Sequence, residues 1–247
     1  MASYLVTIGV GDFEFEELPP VGGVAIRNVY GPNTIRTAQP LLAIQGEMIE
    51  VLSELFGPYP FEAYGAFVVQ DNFGGALENQ TLSVFSGSIF SNPILAEQIV
   101  VHELAHQWFG NALTLATWDD IWLNEGFATY SEWLWREATD PGFDIDRFAV
   151  DHANRGRPVW SAPGDPGPTQ LFAPTVYQRG GLTLHAIRRT IGDDAFFAGL
   201  SAYVENNLHS NVSTDDFRQT MEDASGQSLD ELFEGWLYAD VTPAMPD

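Results

Sequence analysis

The chain has 247 residues, 45% hydrophobic and 13% aromatic, so it can bury a full core and is not a disordered segment. Thirty-four acidic residues against ten basic ones give a formal net charge of −24, a field that repels nucleic-acid phosphates and anionic membrane surfaces and attracts cationic groups such as a peptide's free amino end. There is no cysteine, which excludes disulfides, thiolate nucleophiles and Cys-type zinc sites.

In chain order, Tyr4 to Val10 reads as an apolar β-strand directly after Met1-Ala2-Ser3, without the basic region and cleavage signature of a signal peptide. A strand placed so early suggests a chain cut from something longer, and its apolar face suggests a homo-oligomer. No stretch approaches the roughly 18 apolar residues of a membrane span, so a soluble chain is expected, with its compartment open. Residues 13–18 and 22–30 are expected strands, divided by Gly and Pro. A helix is expected from Gln39 to Phe56, stopped by Gly57 and Pro58, followed by strands over 64–69 and 77–85 with Gly74-Gly75 between them.

Asn92-Pro93 opens a helix in the favoured manner, expected to run through Phe109 and end at Gly110. Another helix is expected over 120–138. Residues 155–168, rich in Pro and Gly, read as an irregular loop long enough to line a site. Helices follow over 175–191, 194–207, 214–224 and 229–238, the last two preceded by capping-box spacings at Ser213/Asp216 and Ser228/Glu231. Strands come first and helices afterwards, with no βαβ alternation, which makes the fold class α+β.

The chemistry centres on His102-Glu103-Leu104-Ala105-His106, an H-E-x-x-H on a helix. Histidines four apart differ by about 40° around a helix, so both imidazoles reach one ion on the same face. Zinc lowers the pKa of a bound water to about 7, and Glu103 lies beside the histidines to take its proton. A catalytic zinc wants a third protein ligand and an open position. Glu125, 19 positions after His106 on the next helix, supplies that ligand, and Thr129 and Glu132 share its face, placed to act behind the metal shell. The metzincin alternative, a histidine at 112 preceded by glycine at 109, fails because Ala112 and Phe109 stand there. His152, His185 and His209 lie outside any ligand spacing and read as structural or solvent-exposed.

H-E-x-x-H followed by the glutamate of Trp122-Leu123-Asn124-Glu125-Gly126-Phe127-Ala128 resembles the gluzincin peptidases, specifically the aminopeptidase N family. Gly75-Ala76-Leu77-Glu78-Asn79 is similar to that family's G-x-M-E-N, with Leu77 for Met. Tyr177-Gln178-Arg179-Gly180 is similar to its Y-x-K-G, with Arg for Lys, and Trp236-Leu237-Tyr238 followed by Pro243 resembles the close of its catalytic domain. The resemblance implies a thermolysin-like fold over 31–247, with a small β-sheet lobe, a mainly helical lobe and one zinc ion in the cleft between. Residues 1–30 then resemble the last strands of a preceding β-domain. It also implies roles: Glu103 as general base, Tyr177 as hydrogen-bond donor to the oxyanion, Gly75 and Ala76 along the substrate backbone, and Glu78 on the substrate's free α-amine. The expected activity is removal of N-terminal residues from peptides; the alternatives are a thermolysin-like endopeptidase and an inactive zinc-binding module.

Overall fold

The sheet begins with a hairpin. β1 (Glu14–Val21) and β2 (Val24–Tyr30) are joined by Gly22 and Gly23, whose φ angles of 57° and 89° give the left-handed turn that matches strand twist. Pro19 and Pro20 are tolerated because β1 is an edge strand, with a register shift between Leu18 and Val21. Four short strands complete the layer: β3 (Ala63–Tyr64), β4 (Ala66–Val69), β5 (Ala76–Leu77) and β6 (Ser83–Ser86). The order is β1-β2-β4-β6-β5, with β3 also on β2; the inner strands are parallel, and β1 and β5 run antiparallel at the edges. The strand expected over 64–69 breaks at Gly65, where a Cβ would lie 1.6 Å from the Arg27 carbonyl oxygen. The boundary expected at residue 30 crosses no gap, since β2 hydrogen-bonds to both β3 and β4.

The computed structural model describes residues 2–156 and 160–246, and over these the fold is α+β, although two helices interrupt the sheet strands between β2 and β3 before the helical lobe begins. The helix expected over 39–56 is two helices, α1 (Ile35–Leu42) and α2 (Gln45–Phe56), divided just past Pro40, whose ring removes an amide donor. With α3 (Pro93–Ala105) they cover one face of the sheet, and their apolar side chains join Ile26, Tyr30, Val68 and Phe85 in the main core. Val29, Phe67 and Val84 form a small cluster on the opposite face with Phe13.

The helical lobe is built around α4 (Trp122–Thr139), in which every residue from Trp122 to Trp135 is buried. Around it lie α5 (Ile145–Gly156), α6 (Pro174–Ile191), α7 (Asp193–Asn207) and α8 (Thr214–Ser225). α9 (Asp230–Phe233) runs into a π turn over Glu234–Tyr238. Two short strands, β7 (Thr114–Leu115) and β8 (Asn211–Val212), pair in parallel beside it.

Several local expectations are corrected. Tyr4 to Val10 is no strand: Ser3–Leu5 forms a 3-10 turn that buries Leu5, and residues 6–10 have no regular structure. α5 was not anticipated, although Asp144 accepts from the Arg147 amide as a cap would. The Ser213/Asp216 capping box forms, but at α9 the cap position is Leu229, and Ser228 bonds to Asp230 instead. Residues 160–168 are irregular as expected, and 157–159 lie outside the described residues.

Candidate active site

α3 starts cleanly because the Asn92 side chain accepts from the amides of Ile94 and Leu95, with Pro93 behind it. It stops at Ala105, four residues earlier than expected. The chain then loops back through Gly110 at φ 128°, with Asn111 and Ala112 amides bonding to the His106 and Gln107 carbonyls. The early stop has a chemical result: it turns the Phe109 carbonyl toward His106, whose Nδ1 donates to it at 3.0 Å. His102 Nδ1 meets Glu132 Oε1 at 2.7 Å, and Glu132 in turn accepts from Gln98 Nε2 at 2.5 Å. An imidazole that donates through Nδ1 keeps the Nε2 lone pair free, so both rings present Nε2 as a ligand.

Those two nitrogens converge on α4. Glu125 Oε2 is 3.3 Å from His102 Nε2 and 3.4 Å from His106 Nε2, and the three ligand atoms all lie within 4.8 Å of one another. Ligands held tetrahedrally at the usual zinc distances are about 3.3–3.5 Å apart, so both separations from Glu125 are those of a zinc donor set. All three side chains line one cleft. Glu103 is buried beside it, and its Oε2 has no hydrogen-bond partner, an orphan that only an incoming group can satisfy.

Charge at the site makes the same case. Burial lowers the pKa of His106, yet Glu125 reverses this and raises it to about 9. Burial raises Glu125, but the two imidazoles pull it down to about 2. The cluster therefore stabilises positive charge between the ligands. Glu103 goes the other way: burial outweighs the attraction of the histidines and lifts it to about 7, in the range useful for a general base.

The approach of α4 to α6 brings in Tyr177. A Cβ on Gly126 would lie 2.9 Å from the Gly180 backbone, and one on Gly180 would meet Gly126 Cα at the same distance. Two glycines, one directly after Glu125 and the other three residues after Tyr177, thus let the helices cross in backbone contact. Tyr177 stacks on His102 with ring centroids 5.9 Å apart. Burial first, then the charges of Glu125, Glu103 and Glu78, hold its phenol well above the usual tyrosine range, so it remains a donor at neutral pH.

Gly75, Ala76 and Glu78 form the opposite wall of a cleft of about 450 Å³ that also contains the three ligands, Glu103, Tyr177 and Phe172. Among the described residues, the outer edge of β5 has no neighbouring strand. The Glu78 carbonyl is fixed by Asn111 Nδ2 at 2.8 Å, while its carboxylate accepts from the Tyr4 hydroxyl at 3.1 Å. All eight residues singled out from the sequence therefore meet in one cleft.

Of the two residues placed behind the metal shell, Glu132 reaches His102, whereas Thr129 packs near Gly181. Sequence reasoning missed Tyr4, Gln98, Phe172 and the Phe109 carbonyl; none has a spacing that signals it. The described part of the irregular loop, 160–168, does not line the cleft. His152 bonds to Gln178 and His185 lies buried between Tyr130 and Asp146, both structural, while His209 is outside the site.

The profile of the Peptidase family M1 domain matches residues 41–236. Curated relatives include Aminopeptidase M1 of Arabidopsis thaliana, 28% identical over 96% of this chain and 29% of its own length. Endoplasmic reticulum aminopeptidase 1 of Homo sapiens is 29% identical over 90% of this chain and 26% of its own length. The chain thus spans less than a third of these relatives. Among solved structures, a mutant two-domain M1 zinc metallopeptidase bound to L-tryptophan superposes with a TM-score of 0.85 at 33% identity, covering 96% of this chain and 54% of that one. An M1 zinc metallopeptidase mutant of Deinococcus radiodurans bound to a Tyr-Ser-Ala substrate gives 0.82 at 32% identity, over 96% and 54% of the two chains. Zinc is the metal these structures name, and the donor set here fits it. On the profile match over most of its length, and on a fold shared with these metallopeptidases, the chain belongs to peptidase family M1.

Proposed function

We propose that the chain is the catalytic part of a zinc-dependent aminopeptidase, which releases single residues from peptides bearing a free amino terminus. One observation carries this reading: the Nε2, Nε2, Oε2 donor set, the unpaired Glu103 Oε2 and the Glu78 carboxylate share one cleft. His102, His106 and Glu125 hold the zinc ion. Zinc, when bound, supplies Lewis-acid chemistry that activates water and polarises a carbonyl.

The remaining work falls to side chains. Glu103 is the general base, taking a proton from the attacking water at Oε2 and passing it to the departing amine nitrogen. The Tyr177 hydroxyl donates to the carbonyl oxygen as negative charge gathers there. The free edge of β5 at Gly75 and Ala76 aligns the substrate backbone as an added strand. Glu78 pairs with the α-ammonium group in a charge-assisted hydrogen bond. The L-tryptophan bound to the two-domain neighbour supports a cleft that accepts a single residue with both ends free.

The test compares aminoacyl substrates with their N-acetylated forms, with and without a chelator. Acetylation removes the charge and leaves Glu78 unpaired, so free amines should be preferred by at least about 10²-fold, and readdition of zinc should restore activity lost to the chelator. Equal cleavage of both forms would replace this reading with an endopeptidase. No cleavage of either, even with added zinc, would leave an inert zinc-binding module.

A further inference from the structure

The N-terminal segment forms no regular strand, but its first turn is tied down at the end of the cleft. The Gln80 amide donates to the Leu5 carbonyl at 3.4 Å, Leu5 is buried, and the Tyr4 ring packs against Trp118 with centroids 5.9 Å apart. These contacts aim the Tyr4 hydroxyl at Glu78 Oε1. Among the described residues, no other side chain or amide donates to that carboxylate. Its backbone is clamped by Asn111 and Gln107 from the loop after α3, but the side chain would otherwise be free to rotate.

We propose that Tyr4 is the positioning residue for Glu78, and that its ring closes the cleft beyond the substrate's first residue. This rests on the reading of Glu78 as the α-amine site. A carboxylate offers about four lone-pair positions, so one bond from Tyr4 to Oε1 fixes its plane and leaves Oε2 for the ammonium group. Tyr4 adds no charge. Burial and the adjacent Glu78 carboxylate keep the phenol protonated, so it stays a donor rather than a second anion. The wall it makes is apolar on its far side, where a cavity of about 160 Å³ lies between Tyr4, Leu115 and Trp118. A chain that continued past its first residue would have to displace the ring and break the bond to Glu78.

The experiment measures kcat and KM for one aminoacyl substrate and its N-acetyl form in wild type, Tyr4→Phe, Tyr4→Ala, Glu78→Ala and the Tyr4→Phe/Glu78→Ala double variant. Tyr4→Phe keeps the ring and should raise KM for the free amine about tenfold, the worth of one hydrogen bond to a charged group, with kcat nearly unchanged. In the double variant the added change should vanish, because both substitutions disable one device. Tyr4→Ala should in addition raise cleavage of the N-acetyl form. Calorimetric titration with an amino-acid amide, counted per zinc-loaded protein, gives the same comparison for any variant with reduced folded yield. If Glu78→Ala abolishes the preference for free amines while Tyr4→Phe leaves KM and amide affinity untouched, the role of Tyr4 is overturned and that of Glu78 stands. If Glu78→Ala itself leaves the preference intact, the reading beneath the proposal has failed.

Discussion

The two ends of the cleft are built to different standards. At the metal end, each imidazole is oriented by a second group, Glu132 or the Phe109 carbonyl; His102 and Glu125 sit on long helices, and His106 caps the first of them. At the other end, Glu78 follows a two-residue edge strand, is half-buried, and has its carboxylate held by one phenol from an irregular segment. Bond-breaking chemistry tolerates little misplacement, since about 1 Å can cost about 10²-fold in rate, whereas choice of substrate is adjusted by single contacts. The difference teaches where variation can be accommodated: at the amino end without loss of the metal, and hardly at all among the ligands.

The largest expected effect is at Glu103. Glu103→Gln should keep zinc yet lower kcat by about 10²–10⁴-fold, the usual worth of a general base, with metal content measured on the same sample. Loss of zinc in step with activity would give Glu103 a structural part in the metal end. Tyr177→Phe removes one hydroxyl and should lower kcat about 10²–10³-fold with KM little changed. A near-normal kcat would place the oxyanion donor elsewhere.

Smaller effects sharpen the comparison directly. Glu132→Ala strips the partner from His102 Nδ1 and should weaken zinc affinity about 10–100-fold in a chelator competition. Tyr4→Phe, at the other end, should leave zinc affinity unchanged in the same assay. Equal loss in both would mean the two ends are coupled, and the contrast drawn between them would collapse. Least in activity, but clear in stability, is Gly126→Ala. Its methyl must push α4 away from Gly180, costing about 1–3 kcal/mol by thermal or denaturant unfolding. A variant as stable as wild type would show that the helices can separate freely.

Much of the metal end was legible because its signals are local. H-E-x-x-H needs only a helical turn, and Glu132 lies one face-repeat from Glu125 on the same helix. The glycines at 126 and 180 were also in view, but their meaning needs both helices at once: each exists for the other. The Phe109 carbonyl could not be read, since on a helix continued to Phe109 it would point along the axis, away from the His106 ring. Tyr4 belongs to a β-rich apolar run, which is correct chemistry for a strand with a partner. Here no partner strand takes it up, and tertiary contacts to Trp118 and Glu78 set its conformation instead. α5 is signalled only weakly: Ile145, Ala149 and Ala153 recur at helical spacing behind Asp144, but Pro141 and Gly142 before it and the Pro- and Gly-rich residues after it are breakers.

Arg179 is fully buried, two residues beyond Tyr177, and donates to the carbonyls of Trp160, Gly235, Trp236 and Ala239. A planar fork with five donors can serve four acceptors at once; a lysine has three donors and would leave one of them stranded. Mechanically, this is a coupling rod. The Arg179 guanidinium fastens the turn at 235–239 to α6 less than one helical turn from Tyr177, so the end of the helical lobe and one wall of the cleft are held as a single piece.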